Sequence, residues 1–235
     1  MRVLDLFSGI GGFSLGLERA GMRTIQFVEI DPFCQAVLKK HWPEVPCHGD
    51  ITTFHAAAGF ADVLCGGFPC QDISVAGKGA GITGERSGLW REYARLIGEV
   101  RPRYAIVENV SALRSRGFGT VLGDLAALGY DAEWDCIPAA AIGALHYRNR
   151  VWIQAYPHTD GLRLQRLRPI ATGTWREQQF AGLVQDQIRI SIPAGCRSGI
   201  SDGISGRMGQ LKGYGNSVVP QISEIIGRAI MRNMI

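Results

Sequence analysis

Several features that define other protein classes are missing from this 235-residue sequence. No apolar run approaches the roughly 18 residues that a membrane-spanning helix needs. The first residues, MRVLDLFSG, lack the long apolar stretch and the small-residue cleavage site of a secretory signal peptide. Internal repeats and low-complexity tracts are also absent. We therefore expect a globular, cytoplasmic protein without a membrane partner.

Metal-binding cysteine pairs are missing as well. The six cysteines are Cys34, Cys47, Cys65, Cys70, Cys136 and Cys196. They form no CxxC pair, and no histidine pair completes a zinc-ligand spacing, so we expect no metal. A chain of this length does not need a disulfide framework. The thiols are expected to be reduced, and most of them to fill the core.

The acidic and basic side chains are unevenly distributed. Residues 1–155 carry 15 Lys and Arg against 16 Asp and Glu, whereas residues 156–235 carry 10 against 5. The basic excess therefore lies in the last third of the chain, which suits contact with a polyanion such as a nucleic acid. A solvated basic surface explains the same excess equally well.

Short β-type runs alternate with helical patterns over the first 155 or so residues. Strands are predicted at Arg2–Leu6, Ile25–Glu29, Asp62–Gly66, Tyr104–Glu108, Asp131–Ile137 and Val151–Tyr156, and helices at Gly11–Ala20, Pro32–His41, Leu89–Val100 and Val121–Leu128. This alternation predicts an α/β fold with a doubly wound parallel sheet and helices on both faces. From about Pro157 the periodicity fades, and it returns in an amphipathic helix over Ser217–Ile235.

A glycine-rich turn follows the first predicted strand in DLFSGIGGFSLGLERAG (5–21) and opens a helix. Gly9, Gly11 and Gly12 would let a ligand approach the backbone at the helix start. The third glycine of a dinucleotide fingerprint would fall at Ser14, so that fingerprint is absent. The turn is equally compatible with an ordinary tight connection.

Two carboxylates follow neighbouring predicted sheet elements. Glu29 ends the second strand, where it suits ribose hydroxyls, and Asp50 in HGDI suits an adenine amino group. Either one alone is equally compatible with a surface carboxylate. Ligands of an open parallel sheet bind at the carboxyl ends of its strands, and Cys70 and Glu108 are predicted at the same edge.

Cys70 lies in GGFPCQDIS, on a predicted loop. Pro69 restricts the backbone of this loop, and the preceding glycines have no side chains to crowd it. An exposed thiol near donors or cations can ionise and attack. Glu108, in VENV, is predicted to end the neighbouring strand and could donate a proton, or equally be a solvated loop carboxylate. Arg148 and Arg150 share one face of a late strand and could bind a carbonyl or phosphate, or be plain surface charge.

The ordered motifs DLFSGIGGF, PCQDIS, ENV, RNRV and GNSVVPQI resemble those of the C5-cytosine DNA methyltransferases. The resemblance covers residues 1–156 and about 207–230. It implies a Rossmann-like S-adenosylmethionine-dependent methyltransferase domain over 1–156 and a small irregular target-recognition region over 157–206. The C-terminal helix, within 207–235, would return to the catalytic domain.

The resemblance also implies the roles of individual residues. Cys70 would add to C6 of a cytosine flipped out of double-stranded DNA, Glu108 would contact the ring, and Arg148 and Arg150 would hold the base. S-adenosylmethionine would lie against Phe7, Ser8, Gly9, Ile10, Gly12, Glu29, Ile30, Asp50, Ile51, Pro69, Leu89, Asn216, Ser217 and Val218. The stretch 74–90 resembles the mobile loop that closes over the flipped base.

The resemblance further suggests a monomer of bacterial or phage origin, with a restriction endonuclease in the same system but no direct contact with it. His146 and Asn149 depart from the residues usual in the family, and the recognition region is short. Two alternatives stay open: a tRNA cytosine-5 methyltransferase and a catalytically inactive DNA-binding relative. Ser14 and the Pro-Cys-Gln loop argue against a third, a nicotinamide-dependent oxidoreductase.

Overall fold

The computed structural model describes residues 1–69, 88–143, 147–158 and 217–232. These residues form one sheet of strands β1 (Arg2–Leu6), β2 (Arg23–Val28), β3 (Cys47–His48), β4 (Val63–Gly66), β5 (Tyr104–Val110), β6 (Tyr130–Pro138) and β7 (Asn149–Pro157). The helices are α1 (Gly12–Arg19), α2 (Pro32–His41), α3 (Leu89–Val100), α4 (Leu113–Arg116), α5 (Phe118–Ala127) and α6 (Pro220–Arg232). The predicted α/β class is confirmed.

The strands follow the order β3-β2-β1-β4-β5-β7-β6. Strands β1 to β5 are mutually parallel, but β7 runs antiparallel to both β5 and β6. The prediction of an all-parallel sheet is therefore wrong at this end. The described part of the link between β6 and β7 contains a short 3₁₀ turn, Ala139–Ile142, and the link as a whole has too few residues for a helical crossover.

Successive side chains of each strand enter two separate apolar layers, as the pleat requires. Val3 packs with α1 and α6, whereas Leu4 packs with α3 and α5. The helices therefore cover both faces, as predicted. The sequence alone predicted helices on both faces, because the central strands are apolar at nearly every position. Such strands are typical of a sheet that is covered on both sides.

Local chemistry determines several helix boundaries. Helix α2 begins at the predicted Pro32, and Asp31 caps it by accepting hydrogen bonds from Phe33 N–H at 2.9 Å and Cys34 N–H at 3.4 Å. Helix α6 was predicted from residue 217 but begins at Pro220, because a residue before proline disfavours the helical conformation.

Other differences from the prediction concern α4, α5 and β5. Helix α5 begins at Phe118 rather than Val121, because glycines in its first turns obscure the apolar period. The short helix α4 was not predicted. Strand β5 continues past Glu108 to Val110, so that Glu108 lies within the strand. Within the described residues, no helix combines the length and the apolar character needed to cross a membrane.

Candidate active site

The carboxyl ends of β1, β2 and β3 meet at one edge of the sheet, where hydrogen bonds join the residues that follow them. Ser8 N–H donates to the Val28 carbonyl at 3.3 Å, and Glu29 N–H donates to the His48 carbonyl at 2.9 Å. The structure therefore brings together the glycine turn, Glu29 and the start of the Asp50 turn, as the sequence predicted.

The glycine turn after β1 has an unusual backbone. Phe7, Gly9 and Gly11 have φ values of 51°, 56° and 86°. A left-handed backbone conformation costs free energy for a residue other than glycine. Phe7 is therefore strained, and strained residues cluster at ligand sites. The Phe7 ring lies parallel to that of Tyr93 with centroids 6.5 Å apart. Ser8 is buried, and its hydroxyl donates to the Asp5 carbonyl at 2.6 Å.

Glu29 is buried and holds this turn from the side. One carboxylate oxygen accepts from Gly9 N–H at 2.7 Å, and the other accepts from Asp31 N–H at 2.8 Å. A carboxylate has about four acceptor positions, so capacity remains for ligand hydroxyls. Beside it, Ile30 is 72% exposed, the highest fraction among the exposed large apolar side chains of the described residues.

Asp50 is exposed and begins a turn. Its Oδ1 accepts from Thr52 N–H at 2.9 Å and from Thr52 Oγ1 at 2.8 Å, and these bonds lower the pKa of Asp50. Ile51, a predicted cofactor residue, has its side chain in the core at 5% exposure. Only the backbone of Ile51 is therefore available to a ligand, while the Asp50 carboxylate remains at the surface.

The chain segment before α6 reaches the glycine turn. A Cβ atom added at Gly12 would meet the Val218 carbonyl oxygen, and would lie 3.0 Å from the Ser217 hydroxyl. Glycine is required at this close approach. Ser217 and Val218 therefore lie beside Gly12 as the sequence predicted, whereas Asn216 lies outside the described residues.

The remaining predicted cofactor residues, Ile10, Pro69 and Leu89, are each half-buried. Leu89 packs on the core cluster that Phe7 also joins. An exposed apolar side chain beside the Glu29 carboxylate, next to a strained glycine turn, suits a ligand with a planar apolar part and hydroxyl groups. S-adenosylmethionine has both, so the residues present fit this cofactor.

Glu108 lies within β5, paired in register with Trp152 of β7, and is 7% exposed. The interpretation as a solvated loop carboxylate is wrong. Arg150 Nε lies 3.1 Å from Glu108 Oε1, an ion pair without hydrogen-bond alignment. Burial raises the pKa of Glu108, and the Arg150 and Arg148 guanidinium groups offset part of that rise. A raised pKa favours the protonated form of this carboxyl group relative to an exposed glutamate.

The chain beyond β4 approaches Glu108 closely. A Cβ atom at Gly67 would lie 2.9 Å from Glu108 Oε2, so only glycine leaves that oxygen undisturbed. Asn109 is buried and donates from Nδ2 to the Phe68 carbonyl at 3.1 Å. The backbone leading to Pro69 is therefore fastened beside Glu108.

Cys70, the predicted nucleophile, follows directly and lies outside the described residues, as do His146 and positions 74–87 of the predicted mobile loop. The same is true of the arginine-rich region from residue 159 to 216. The roles assigned to these positions stay predictions.

A second buried carboxyl group lies beneath the glycine turn. Asp5 is fully buried and accepts from Ser14 Oγ at 2.6 Å. Burial raises the pKa of Asp5 to about 7, although the Ser14 and Cys65 side chains lower it in part, while the charge of Glu29 adds to the rise. Ser14 therefore has a structural use where a dinucleotide fingerprint would have glycine.

Sequence reasoning missed two residues that support the site. Asn109 had a signal, because a buried strand rarely carries an amide unless the amide is hydrogen-bonded. Arg95 also had one, because Glu92 and Glu99 stand three residues before it and four after it on a helix. Within the described part of the chain, no cluster of metal-ligating side chains occurs.

Comparisons with known proteins give a consistent picture. A family model described as C-5 cytosine-specific DNA methylase matches residues 1–187. The Type II methyltransferase M2.BsuMI of Bacillus subtilis is 37% identical over 163 residues, which are 66% of this chain and 42% of that protein. M.Eco47II of Escherichia coli, another Type II methyltransferase, is 36% identical over 149 residues, 62% of this chain and 36% of that protein.

A solved structure from E. coli, described as a DNA modification methyltransferase encoded within a prophage, superimposes with a TM-score of 0.54 at 27% identity. The match covers 67% of this chain and 47% of that one. The chain thus spans only 42% and 36% of the two curated relatives that it matches.

Proposed function

The chain belongs to the C-5 cytosine-specific DNA methylase family, and we propose that it transfers a methyl group from S-adenosylmethionine to C5 of cytosine in double-stranded DNA. The observation that carries this proposal is the buried Glu108 carboxyl group. It is held by Arg150 at 3.1 Å and lies against the backbone that leads to Cys70.

Cytosine needs activation because C5 is too weak a nucleophile to take a methyl group directly. In the proposed mechanism the Cys70 thiolate forms a bond to C6, and electron density moves to the N3 side of the ring. Glu108, whose raised pKa favours the protonated form, donates its proton to N3. C5 becomes enamine-like and nucleophilic as a result.

S-adenosylmethionine, when bound, supplies an electrophilic methyl group on a sulfonium. The ring C5 would form a bond to that methyl carbon while the bond from the methyl carbon to sulfur breaks and S-adenosylhomocysteine leaves. C5 would then lose its proton to water while the bond from Cys70 to C6 breaks. The thiolate returns, and N3 gives its proton back to Glu108. Because C5 and C6 are covered by stacked neighbours inside a duplex, the base is flipped out first.

The residues around the glycine turn would hold the cofactor. Glu29 accepts from ribose hydroxyls with its spare acceptor positions, and Ile30 packs on the adenine. Asp50 accepts from the adenine amino group, and Ser217 with Val218 closes the side next to Gly12.

The proposal assigns target recognition to residues 157–206, whose basic composition suits DNA phosphates. Residues 1–156 carry catalysis and cofactor binding, and 207–235 contain the returning helix. Arg148 and Arg150 hold the flipped base. A cytoplasmic monomer that accompanies a restriction endonuclease, without touching it, belongs to the same proposal.

A methyl-transfer assay tests the proposal. Purified protein is incubated with radiolabelled S-adenosylmethionine and either unmethylated plasmid or bulk tRNA, beside a Cys70→Ala variant. Products are mapped by bisulfite sequencing. We expect label in plasmid DNA that disappears in the variant, at one short recognition sequence.

The other outcomes are equally informative. Label confined to tRNA would move the activity to an RNA cytosine. No label in either nucleic acid, with S-adenosylmethionine still bound, would indicate a DNA-binding relative without catalysis. Plasmid label that persists in the Cys70→Ala variant would contradict the covalent mechanism.

A further inference from the structure

Arg95 joins helix α3 to the turn that begins at Asp50. Its Nη2 donates to the Ile51 carbonyl at 2.9 Å and to the Phe54 carbonyl at 3.0 Å. Both carbonyls belong to a stretch without regular secondary structure, more than forty positions away in sequence. One guanidinium nitrogen therefore ties two backbone carbonyls of that turn to a rigid helix.

The rest of the guanidinium is fixed from within α3. Arg95 Nε donates to Glu92 Oε2 at 2.7 Å, and Nη1 donates to Glu99 Oε1 at 2.6 Å. A guanidinium presents its donors in a rigid plane, so these two carboxylates determine where Nη2 points. Burial alone would raise the pKa of Glu99, but hydrogen bonds from Arg95 and His55 lower it overall, which keeps the pair charged.

His55 adds to this cluster in one of two exclusive ways. Its Nδ1 lies 3.1 Å from Glu99 Oε1 and 3.1 Å from Arg95 Nη1. A protonated Nδ1 donates to Glu99, whereas an unprotonated Nδ1 accepts from Arg95. Either way, the ring lies on the exposed side of the cluster and leaves both backbone carbonyls with Arg95.

The turn also has supports of its own. Thr53 Oγ1 donates to the Asp50 carbonyl at 3.1 Å and lies 2.8 Å from His48 Nε2. Thr53 N–H donates to the Asp50 carbonyl at 3.1 Å, and Phe54 N–H donates to the Ile51 carbonyl at 3.3 Å. Asp50 itself is exposed, and its carboxylate bonds only to Thr52 within the described residues. Arg95 therefore helps to fix the position of this carboxylate relative to Glu29, together with the buried Ile51 and Phe54 side chains and the bond from Glu29 N–H to the His48 carbonyl.

We propose that Arg95 is a positioning residue: it holds the Asp50–Phe54 turn on α3 and so sets the affinity of the site for S-adenosylmethionine. This inference rests on the proposed function, because it takes Asp50 as a cofactor contact. Arg95 touches neither cofactor nor cytosine, so its loss affects cofactor binding more than the chemical step.

The first test measures the turn itself by amide hydrogen exchange, without any ligand. The variants are Arg95→Met, which removes all of the donors, and Arg95→Lys, which keeps the charge but cannot reach both carbonyls in the guanidinium geometry. We expect exchange at Thr53 and Phe54 to become about tenfold faster in Arg95→Met, and less so in Arg95→Lys.

Arg101→Met is the matched control. Arg101 follows the same helix and also donates to a backbone carbonyl, that of Leu128 at 2.7 Å, which lies between α5 and β6 rather than in the turn. The Arg101→Met substitution removes the same kind of bond and keeps the hydrogen bonds of the Asp50 turn. Exchange at Thr53 and Phe54 is expected to equal that of the unchanged protein.

The second test measures binding and turnover. We expect the dissociation constant for S-adenosylmethionine to rise about tenfold in Arg95→Met, with kcat at saturating cofactor within about twofold. A rise in the Arg101→Met control of the same size would indicate general destabilisation and overturn the assignment.

The two possible failures are distinguishable. If the unchanged protein binds S-adenosylmethionine and Arg95→Met matches it in both exchange and affinity, the role of Arg95 is wrong while the proposed function stands. If the unchanged protein does not bind S-adenosylmethionine, the proposed function and the cofactor role of Arg95 both fail. Should Arg95→Met not fold, Arg95→Lys decides by the same two measurements.

Discussion

Glu29 and Glu108 are buried carboxyl groups at the same edge of the sheet, yet their oxygens are used differently. Both oxygens of Glu29 accept backbone N–H groups, so this carboxylate stabilises the fold around it. Glu108 has an ion pair with Arg150 but no aligned hydrogen bond within the described residues. A buried polar group without a hydrogen-bond partner costs free energy unless a bound ligand supplies that partner.

The comparison divides the site into two halves. The half around Glu29 is preformed, whereas the half around Glu108 has a carboxyl group without an aligned hydrogen bond within the described residues. Around β1 to β3, the protein's own hydrogen bonds organise the turns before any ligand arrives. Around β5 and β7, strand pairing holds the buried Glu108 carboxyl group, whose pKa is raised, beside Arg150. We expect substitutions in the first half to change cofactor affinity and substitutions in the second to change the rate of methyl transfer.

The largest effect is expected from Glu108→Gln. The amide keeps the shape but cannot transfer a proton to N3, so kcat should fall by about 10²- to 10⁴-fold. Affinity for S-adenosylmethionine should stay within about twofold, since Glu108 belongs to the other half. Steady-state methylation of plasmid DNA and equilibrium cofactor binding measure the two quantities. A kcat within tenfold of the unchanged protein would remove Glu108 from the chemistry.

Gly67→Ala is expected to act through Glu108. The new methyl group would lie 2.9 Å from Glu108 Oε2 and displace the carboxyl group, which should lower kcat by about 10- to 100-fold. Gly123→Ala is the control, because a Cβ there meets no atom within 4 Å. Equal rates for both variants would show that the position of the Glu108 carboxyl is not critical.

Glu29→Gln is expected to affect cofactor binding. The amide nitrogen cannot accept from either Gly9 N–H or Asp31 N–H, so one backbone donor loses its partner and the turn loosens. We expect the dissociation constant for S-adenosylmethionine to rise about tenfold, with little change in kcat at saturation. Calorimetric titration gives the constant. A selective loss of kcat instead would contradict the division into two halves.

The smallest effect concerns stability and pH. The folded-state pKa of Asp5, about 7, lies above the ordinary value of 3.8, so between these pH values the folded protein keeps a proton that the unfolded chain releases. Stability from this group is therefore present at low pH and is lost as the pH rises through about 7, by at most about 1.4 kcal/mol per pH unit. Asp5→Asn removes a titrating group and should flatten this part of the profile.

Denaturant unfolding of both proteins at pH 5, 6, 7 and 8 checks this slope. The asparagine oxygen can still accept from Ser14 Oγ, so the variant keeps that bond and isolates the titration. Identical profiles for the two proteins would contradict the raised pKa of Asp5.

The preformed half was also the more predictable from the sequence. Its elements are set by neighbouring residues: Pro32 begins α2, the glycines after Leu6 end β1, and Glu29 follows β2 as expected. The other half depends on pairing between distant strands. Strand β7 inserts between β5 and β6, and no local pattern indicates that Arg150 will lie against Glu108 in an antiparallel register.

Side-chain use was less predictable than side-chain location. The order of the motifs predicted that Glu29 lies at this edge of the sheet. It did not predict the hydrogen bonds between Glu29 and the turn that it supports. Ile51 was expected at the cofactor, yet its apolar side chain is in the core because burial stabilises it there. Arg95 was overlooked, because a helical arginine between two glutamates usually makes only surface pairs.

The central claim is that Cys70 forms a covalent bond to the cytosine ring beside Glu108. A duplex carrying 5-fluorocytosine tests it directly, because fluorine at C5 cannot leave as a proton and the adduct persists. Incubation with S-adenosylmethionine and denaturing electrophoresis should give a protein–DNA band that maps to Cys70 by mass spectrometry and is absent from Cys70→Ala. Methylation of ordinary DNA without any trapped band, or a band that survives the substitution, would contradict the account.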